Sequence, residues 1–124
     1  MPSFHGEIGD GKFGVMNSEQ VQEMVINKSG LQASKEWKSN CTTAINKILS
    51  ERGTPCGAYK YQNLTVYHAS SGVGAQAGCT LFYVLRPGDI VKLVGVGYHV
   101  GAQTYQIDWK EAGWCGANKL TLDK

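Results

Sequence analysis

The residues best placed to do chemistry lie in Gly95-Val96-Gly97-Tyr98-His99-Val100-Gly101-Ala102-Gln103-Thr104-Tyr105. Glycine weakens a strand, and it often marks a bulge or a close approach by a ligand. The imidazole of His99 can give or take a proton near neutral pH without a large shift. Thr104, Tyr105 and Gln103 add hydroxyls and an amide, a set that suits phosphoryl or acyl transfer. A turn-rich sheet end carrying an ordinary surface histidine fits the same stretch. His68, at the end of the run Leu64–Ala69, is a second imidazole, so a base and an acid can be divided between the two. Lys60, Arg86 and Lys92 are cations available to an anionic ligand. A different constellation is Ser39-Asn40-Cys41-Thr42, where a thiol at a helix start would have its thiolate stabilised by the helix dipole and His99 as its base. Cys41 also falls on an apolar stripe with Trp37, Ala44 and Ile45, and a core thiol explains it equally well.

The elements that must position these groups follow from periodicity. Residues 1–14 hold Gly6, Gly9, Gly11 and Gly14 and read as an irregular lead-in or an edge strand. Asn17 or Ser18 can cap a helix carrying Val21, Met24 and Val25 on one face, ended by Ser29-Gly30. A second helix, starting at Ser34 or Ser39, runs to Arg52, with Trp37, Cys41, Ala44, Ile45 and Ile48 along one side. After Pro55 the period changes from 3.6 to 2. Asn63–Ala69 reads as a strand and Ser70–Gly78 as a loop. Cys79–Leu85 and Ile90–Val94 flank Arg86-Pro87-Gly88-Asp89, which specifies a type II turn and a hairpin. With Arg86 opposite Asp89, Phe82 would face Leu93 and Val84 would face Val91. Thr104–Trp109 is a further strand, and Leu120–Leu122 a short last one. The expected fold is α+β: two N-terminal helices packed on a four- to five-stranded antiparallel β-sheet. A single domain is expected over 1–124, with a lead-in at 1–14, a helical half at 17–53 and a β half at 59–124.

The bulk numbers exclude several classes. Hydrophobic residues make up 42% and charged residues 18% of the 124, which is ordinary for a folded domain and wrong for a disordered one. No apolar run approaches the roughly 20 residues of a membrane helix. Met1-Pro2-Ser3-Phe4-His5-Gly6 has neither a basic n-region nor an apolar h-region, so no signal peptide is expected. The net charge is +2, and its excess lies entirely after residue 55. There is no basic run of the kind that marks broad nucleic-acid binding. Cys41, Cys56, Cys79 and Cys115 make no Cys-x-x-Cys pair and have no histidine at ligand spacing, so zinc is not expected. Their disulfide state is left open.

The order of two helices, a hairpin of the form aromatic–Tyr–Val, turn, Ile–Val–x–Leu–Val–Gly–x–Gly–x–His, and then a tyrosine resembles the RelE-like toxins of the barnase–EndoU–colicin–RelE ribonuclease group. The likeness spans roughly residues 17–109 and is most specific over Thr80–Tyr105. It implies metal-independent RNA cleavage by attack of the ribose 2′-hydroxyl, with no cofactor. His99, His68, Tyr105 and Thr104 would be the catalytic set, and Lys60, Arg86, Lys92 and Gln103 the substrate contacts. It also implies an RNA substrate rather than DNA, a cognate immunity or antitoxin protein, and action in the bacterial cytoplasm after delivery from a secreted parent protein. The charge balance departs from that group, whose members often look more basic. Pro87-Gly88-Asp89 followed by His99-Val100-Gly101, after Cys41, resembles instead the NlpC-type papain-like cysteine hydrolases. That likeness implies Cys41 as nucleophile, His99 as base, and Asp108 or Gln106 to orient it. A non-enzymatic binding or adaptor domain is the remaining class.

Overall fold

The computed structural model describes residues 2–74, 76–100, 105–115 and 122–123. Nine strands and two helices follow the chain as β1 (Ser3–Gly9), β2 (Lys12–Val15), α1 (Ser18–Ser29), α2 (Lys35–Leu49), β3 (Thr54–Tyr61), β4 (Leu64–Ser71), β5 (Cys79–Arg86), β6 (Ile90–His99), β7 (Tyr105–Lys110), β8 (Trp114–Cys115) and β9 (Leu122–Asp123). This overturns the expected four- to five-stranded antiparallel sheet led by two N-terminal helices. All nine strands belong to one sheet, and it is mixed, because β1 runs parallel to β6 and β9 parallel to β7. Among the described residues strand outweighs helix.

The first error has a plain physical source. Residues 1–14, expected as an irregular lead-in or an edge strand, form a two-stranded hairpin about Asp10-Gly11, with β2 at the edge of the sheet. Both residues have positive φ, 50° and 74°, and Gly9 pairs with Lys12 across them. That is the two-residue turn whose twist matches a hairpin. The helices therefore follow a hairpin instead of leading the chain. β3 was missed for a similar reason. Pro55 and Gly57 dilute its pattern, its register with β4 is irregular between Pro55 and Lys60, and Gln62-Asn63 closes it with φ of 49° and 68°.

The helices match their signals closely. The Asn17 side chain accepts from the Gln20 N–H while the Gln20 side chain accepts from the Asn17 N–H, both at 2.9 Å, a reciprocal cap. Gly30, at φ 68°, ends α1. Ser34 caps α2 through its Oγ, which accepts from Trp37 N–H at 3.1 Å. Val21 and Val25 from α1, and Trp37, Cys41, Ala44, Ile45 and Ile48 from α2, are buried against one face of the sheet.

The other face closes on itself. β7 pairs with β6 and β8 pairs with β3, at opposite ends of the run β6-β5-β4-β3. Only residues 111–113 join β7 to β8, so the two ends must curl together. Trp114 Nε1–H donates to the Val94 carbonyl at 3.1 Å across that seam. A second core fills the curl with Tyr59, Tyr61, Val66, Phe82, Val84, Val94, Tyr105 and Ile107. Phe82 stands at its centre, 5.4 Å from the Tyr105 ring and 5.6 Å from Trp114, both edge to face.

The β5–β6 hairpin forms, in a register one residue from the expected one. Arg86 pairs with Ile90, Leu85 with Val91 and Tyr83 with Leu93, while Phe82 lies opposite Gly95. Asp89 takes a left-handed φ of 58° and leaves the ladder, making the loop three residues instead of two. Its carbonyl accepts from Ser3 N–H at 3.0 Å and anchors β1. A one-residue slip exchanges the faces of a strand. Val84 therefore lies in the curl while Val91 lies under the helices.

One glycine is essential to this register. A Cβ at Gly97 would overlap the backbone oxygen of Gln106 on β7. Gly97→Ala is expected to lower stability by about 2 kcal/mol or more, roughly 5–15 °C in melting midpoint. An unchanged midpoint in a thermal melt would show that β6 and β7 do not pack this closely.

Candidate active site

Strand alternation decides which groups meet. On β4, Val66, His68 and Ser70 share one face, and Tyr67, Ala69 and Ser71 share the other. Val66 belongs to the core of the curl and Ala69 to the core under the helices. On β5, Thr80, Phe82 and Val84 fall on the curl side, while Cys79, Leu81 and Tyr83 fall on the helix side. His68 and His99 thus come together on the inner face of the curl. The Tyr105 ring is a neighbour of both, 5.6 Å from the His68 ring and 4.3 Å from the His99 ring.

The imidazoles are held differently. His68 Nδ1 is 3.0 Å from the Thr54 carbonyl, which can only accept, so Nδ1 carries the proton. The His68 ring also stacks on Phe82 at 6.2 Å. His99 Nε2 lies 3.1 Å from Ser70 Oγ, which in turn lies 2.8 Å from Thr80 Oγ1. The His99 carbonyl accepts from Gly74 N–H at 3.1 Å, which ties the end of β6 to the loop after β4. Asn40 braces that loop from α2, accepting from Ser71 Oγ and donating to the Ala77 carbonyl.

The electrostatics separate proton carriers from inert groups. Burial lowers the pKa of His68 below the usual imidazole value, and the charge of His99 lowers it further, against a raising contribution from the Thr54 hydrogen bond. Burial pushes Tyr105 up to about 12, with a contribution from Cys56, so it stays a phenol. Tyr105 is only 5% exposed, so its ring serves packing against the imidazoles rather than donation to a ligand. Burial raises Cys56 to about 11, and it stays a thiol.

Cys41 is elsewhere. It is fully buried on the inner face of α2, and its thiol hydrogen-bonds that of Cys79, which raises the Cys79 pKa together with burial. The sheet lies between these thiols and His99. Helix α2 begins at Lys35, so Cys41 sits in its second turn, away from the N–H groups that would stabilise a thiolate. Gln106 and Asp108 alternate with Tyr105 and Ile107 on β7 and face away from the curl.

The expected cations do not converge on the histidines. Arg86 is exposed at the hairpin tip. Lys92 is paired with Glu111 at 3.0 Å. Lys60 donates to Thr65 at 3.3 Å near the β3–β4 turn, whereas His68 pairs with Thr54 at the far end of that ladder. Gln103 and Thr104 lie outside the described residues. Among the described residues no three His, Cys, Asp or Glu side chains converge as metal ligands would. A groove of about 740 Å³ lies between the β1–β2 hairpin and α1, lined by His5, Ile8, Phe13, Met16 and Met24 and by neither His68 nor His99.

Sequence reasoning missed Ser70, Thr80 and Thr54. A signal for Ser70 was present, because it shares parity with His68 in an alternating strand. Its place at the head of the serine- and glycine-rich run 70–78 hides it there. No family model, curated protein or solved structure matches this chain.

The lowered His68 value has a consequence for stability. The folded state binds fewer protons than the unfolded chain, so stability is full above the ordinary value of 6.5 and falls as pH drops below it. Urea midpoints measured between about pH 8 and pH 5 are expected to decline across that window, and His68→Gln is expected to flatten the decline. An identical slope in both proteins would contradict the burial of His68.

Proposed function

We propose that this protein is a metal-independent ribonuclease of the bacterial toxin type. The observation that carries the reading is the pair of imidazoles flanking one phenol ring, at 5.6 and 4.3 Å. Two histidines whose environments differ can take different roles. His68, which burial holds neutral, is the base that takes the ribose 2′-hydroxyl proton. That oxygen attacks phosphorus and the P–O5′ bond breaks. The proton held by His68 returns to the departing 5′-oxygen. His99 is the donor that meets the charge developing on the phosphorane.

DNA lacks the 2′-hydroxyl and is no substrate for this reaction. The same reading carries RNA as substrate, an immunity or antitoxin protein as partner, and the bacterial cytoplasm as the place of action, reached from a secreted parent protein. Seated under the helices beside Cys79, Cys41 is poorly placed to act as a nucleophile with His99. That separation favours the histidine chemistry over the papain-like one.

The test is RNA cleavage in excess chelator, with products examined for a 2′,3′-cyclic phosphate end. His68→Ala and His99→Ala are each expected to lower the rate by about 10²–10⁴. Cys41→Ala is expected to stay within a few-fold of the parent in any preparation that folds. Cleavage that needs added divalent metal would overturn the reading. So would intact RNA alongside Cys41-dependent cleavage of a peptide or amide.

A further inference from the structure

Strands β4 and β5 place Ser70 directly opposite Thr80. Their hydroxyls are 2.8 Å apart, and the Ser70 hydroxyl is also 3.1 Å from His99 Nε2. Thr80 is fully buried, and Ser70 is the hydrogen-bond partner of its hydroxyl among the described residues. Two directions of donation fit these distances. In the first, His99 Nε2–H donates to Ser70 and Ser70 donates to Thr80. The Thr80 hydrogen is then left buried without an acceptor. In the second, Thr80 donates to Ser70 and Ser70 donates to the lone pair of Nε2. Every hydrogen is then used. Orphaning a buried hydroxyl corresponds to a preference of roughly tenfold or more for the second direction.

We infer that this relay, Thr80 to Ser70 to His99, fixes the proton of neutral His99 on Nδ1 and makes Ser70 and Thr80 positioning residues for that ring. Ser70 is itself clamped, because Lys47 Nζ reaches from α2 and donates to the Ser70 carbonyl at 2.7 Å. The consequence rests on the ribonuclease reading. With the relay in place, the N–H of neutral His99 is on Nδ1. His68 spends its Nδ1–H on the Thr54 carbonyl and offers the lone pair of Nε2. The donor and base roles of two chemically identical side chains are thereby set by their second partners, a hydroxyl in one case and a carbonyl in the other.

The experiment reads the tautomer directly. Imidazole ¹⁵N shifts of the full chain are recorded at about pH 8.5, two units above the ordinary imidazole value. Wild type is expected to show a protonated Nδ1 and an unprotonated Nε2 at His99. Ser70→Ala is expected to abolish that preference, and Thr80→Val to weaken it by roughly tenfold, the factor set by the orphaned hydroxyl. Ser70→Thr, which keeps the donor on a β-favouring residue, is expected to retain it. A protonated Nε2 in the wild type, or an unchanged ratio in Ser70→Ala, overturns the relay. No RNA enters this measurement. An Nδ1-protonated His99 in a protein that leaves RNA intact removes the proposed reaction and leaves the relay standing. RNA cleavage with Nε2 protonated does the reverse.

Discussion

The structure depends on a sheet whose central strands, β4 and β5, are covered on both faces. Each strand residue must serve either the helix side or the curl, and alternation assigns it without exception along β4 and β5. Val66, His68 and Ser70 go to the curl, while Tyr67 and Ala69 go to the helices. This constraint separates two chemistries that lie close in sequence. The thiols of Cys41 and Cys79 share the helix-side core, whereas the imidazoles of His68 and His99 share the inner face of the curl. A strand one residue out of register would exchange the sets.

Closure of the curl makes that inner face a site. Without β8 pairing to β3, Phe82 and Tyr105 would form one wall of an open sheet. With Trp114 donating across the seam to Val94, the aromatic rings pack edge to face and hold Tyr105 against the histidines. The burial that results holds His68 neutral and keeps Tyr105 a phenol. At the other end of β6, Gly97 lets β7 come close enough to hold Tyr105 opposite His99.

Local signals in the sequence were legible where local physics decides. The α2 stripe from Trp37 to Ile48, the caps at Asn17 and Gly30 and the β5–β6 hairpin all follow from nearest neighbours along the chain. Both histidines could be named in advance because an imidazole beside glycine or at a strand end invites the question. What could not be read depends on distant partners. Asp89 leaves the hairpin ladder and bonds Ser3, some eighty residues away, and this shifts the register. Lys92 is taken by Glu111, and Cys41 by Cys79. The β1–β2 hairpin was readable from Asp10-Gly11 and was obscured by four glycines weighed together.

The central claim is that His68 and His99 form one ligand-facing site on the inner face of the curl. A titration with a nucleoside 2′,3′-cyclic monophosphate, the group at the cleaved end, tests it most directly. The imidazole carbon-bound protons of His68 and His99 and the methyl groups of Met16 and Met24 are followed together by NMR. The account predicts that both imidazole signals move in step and saturate while the groove methionines stay still. Movement of the methionines with stationary imidazoles, or no shift at either histidine at saturating ligand, would contradict it.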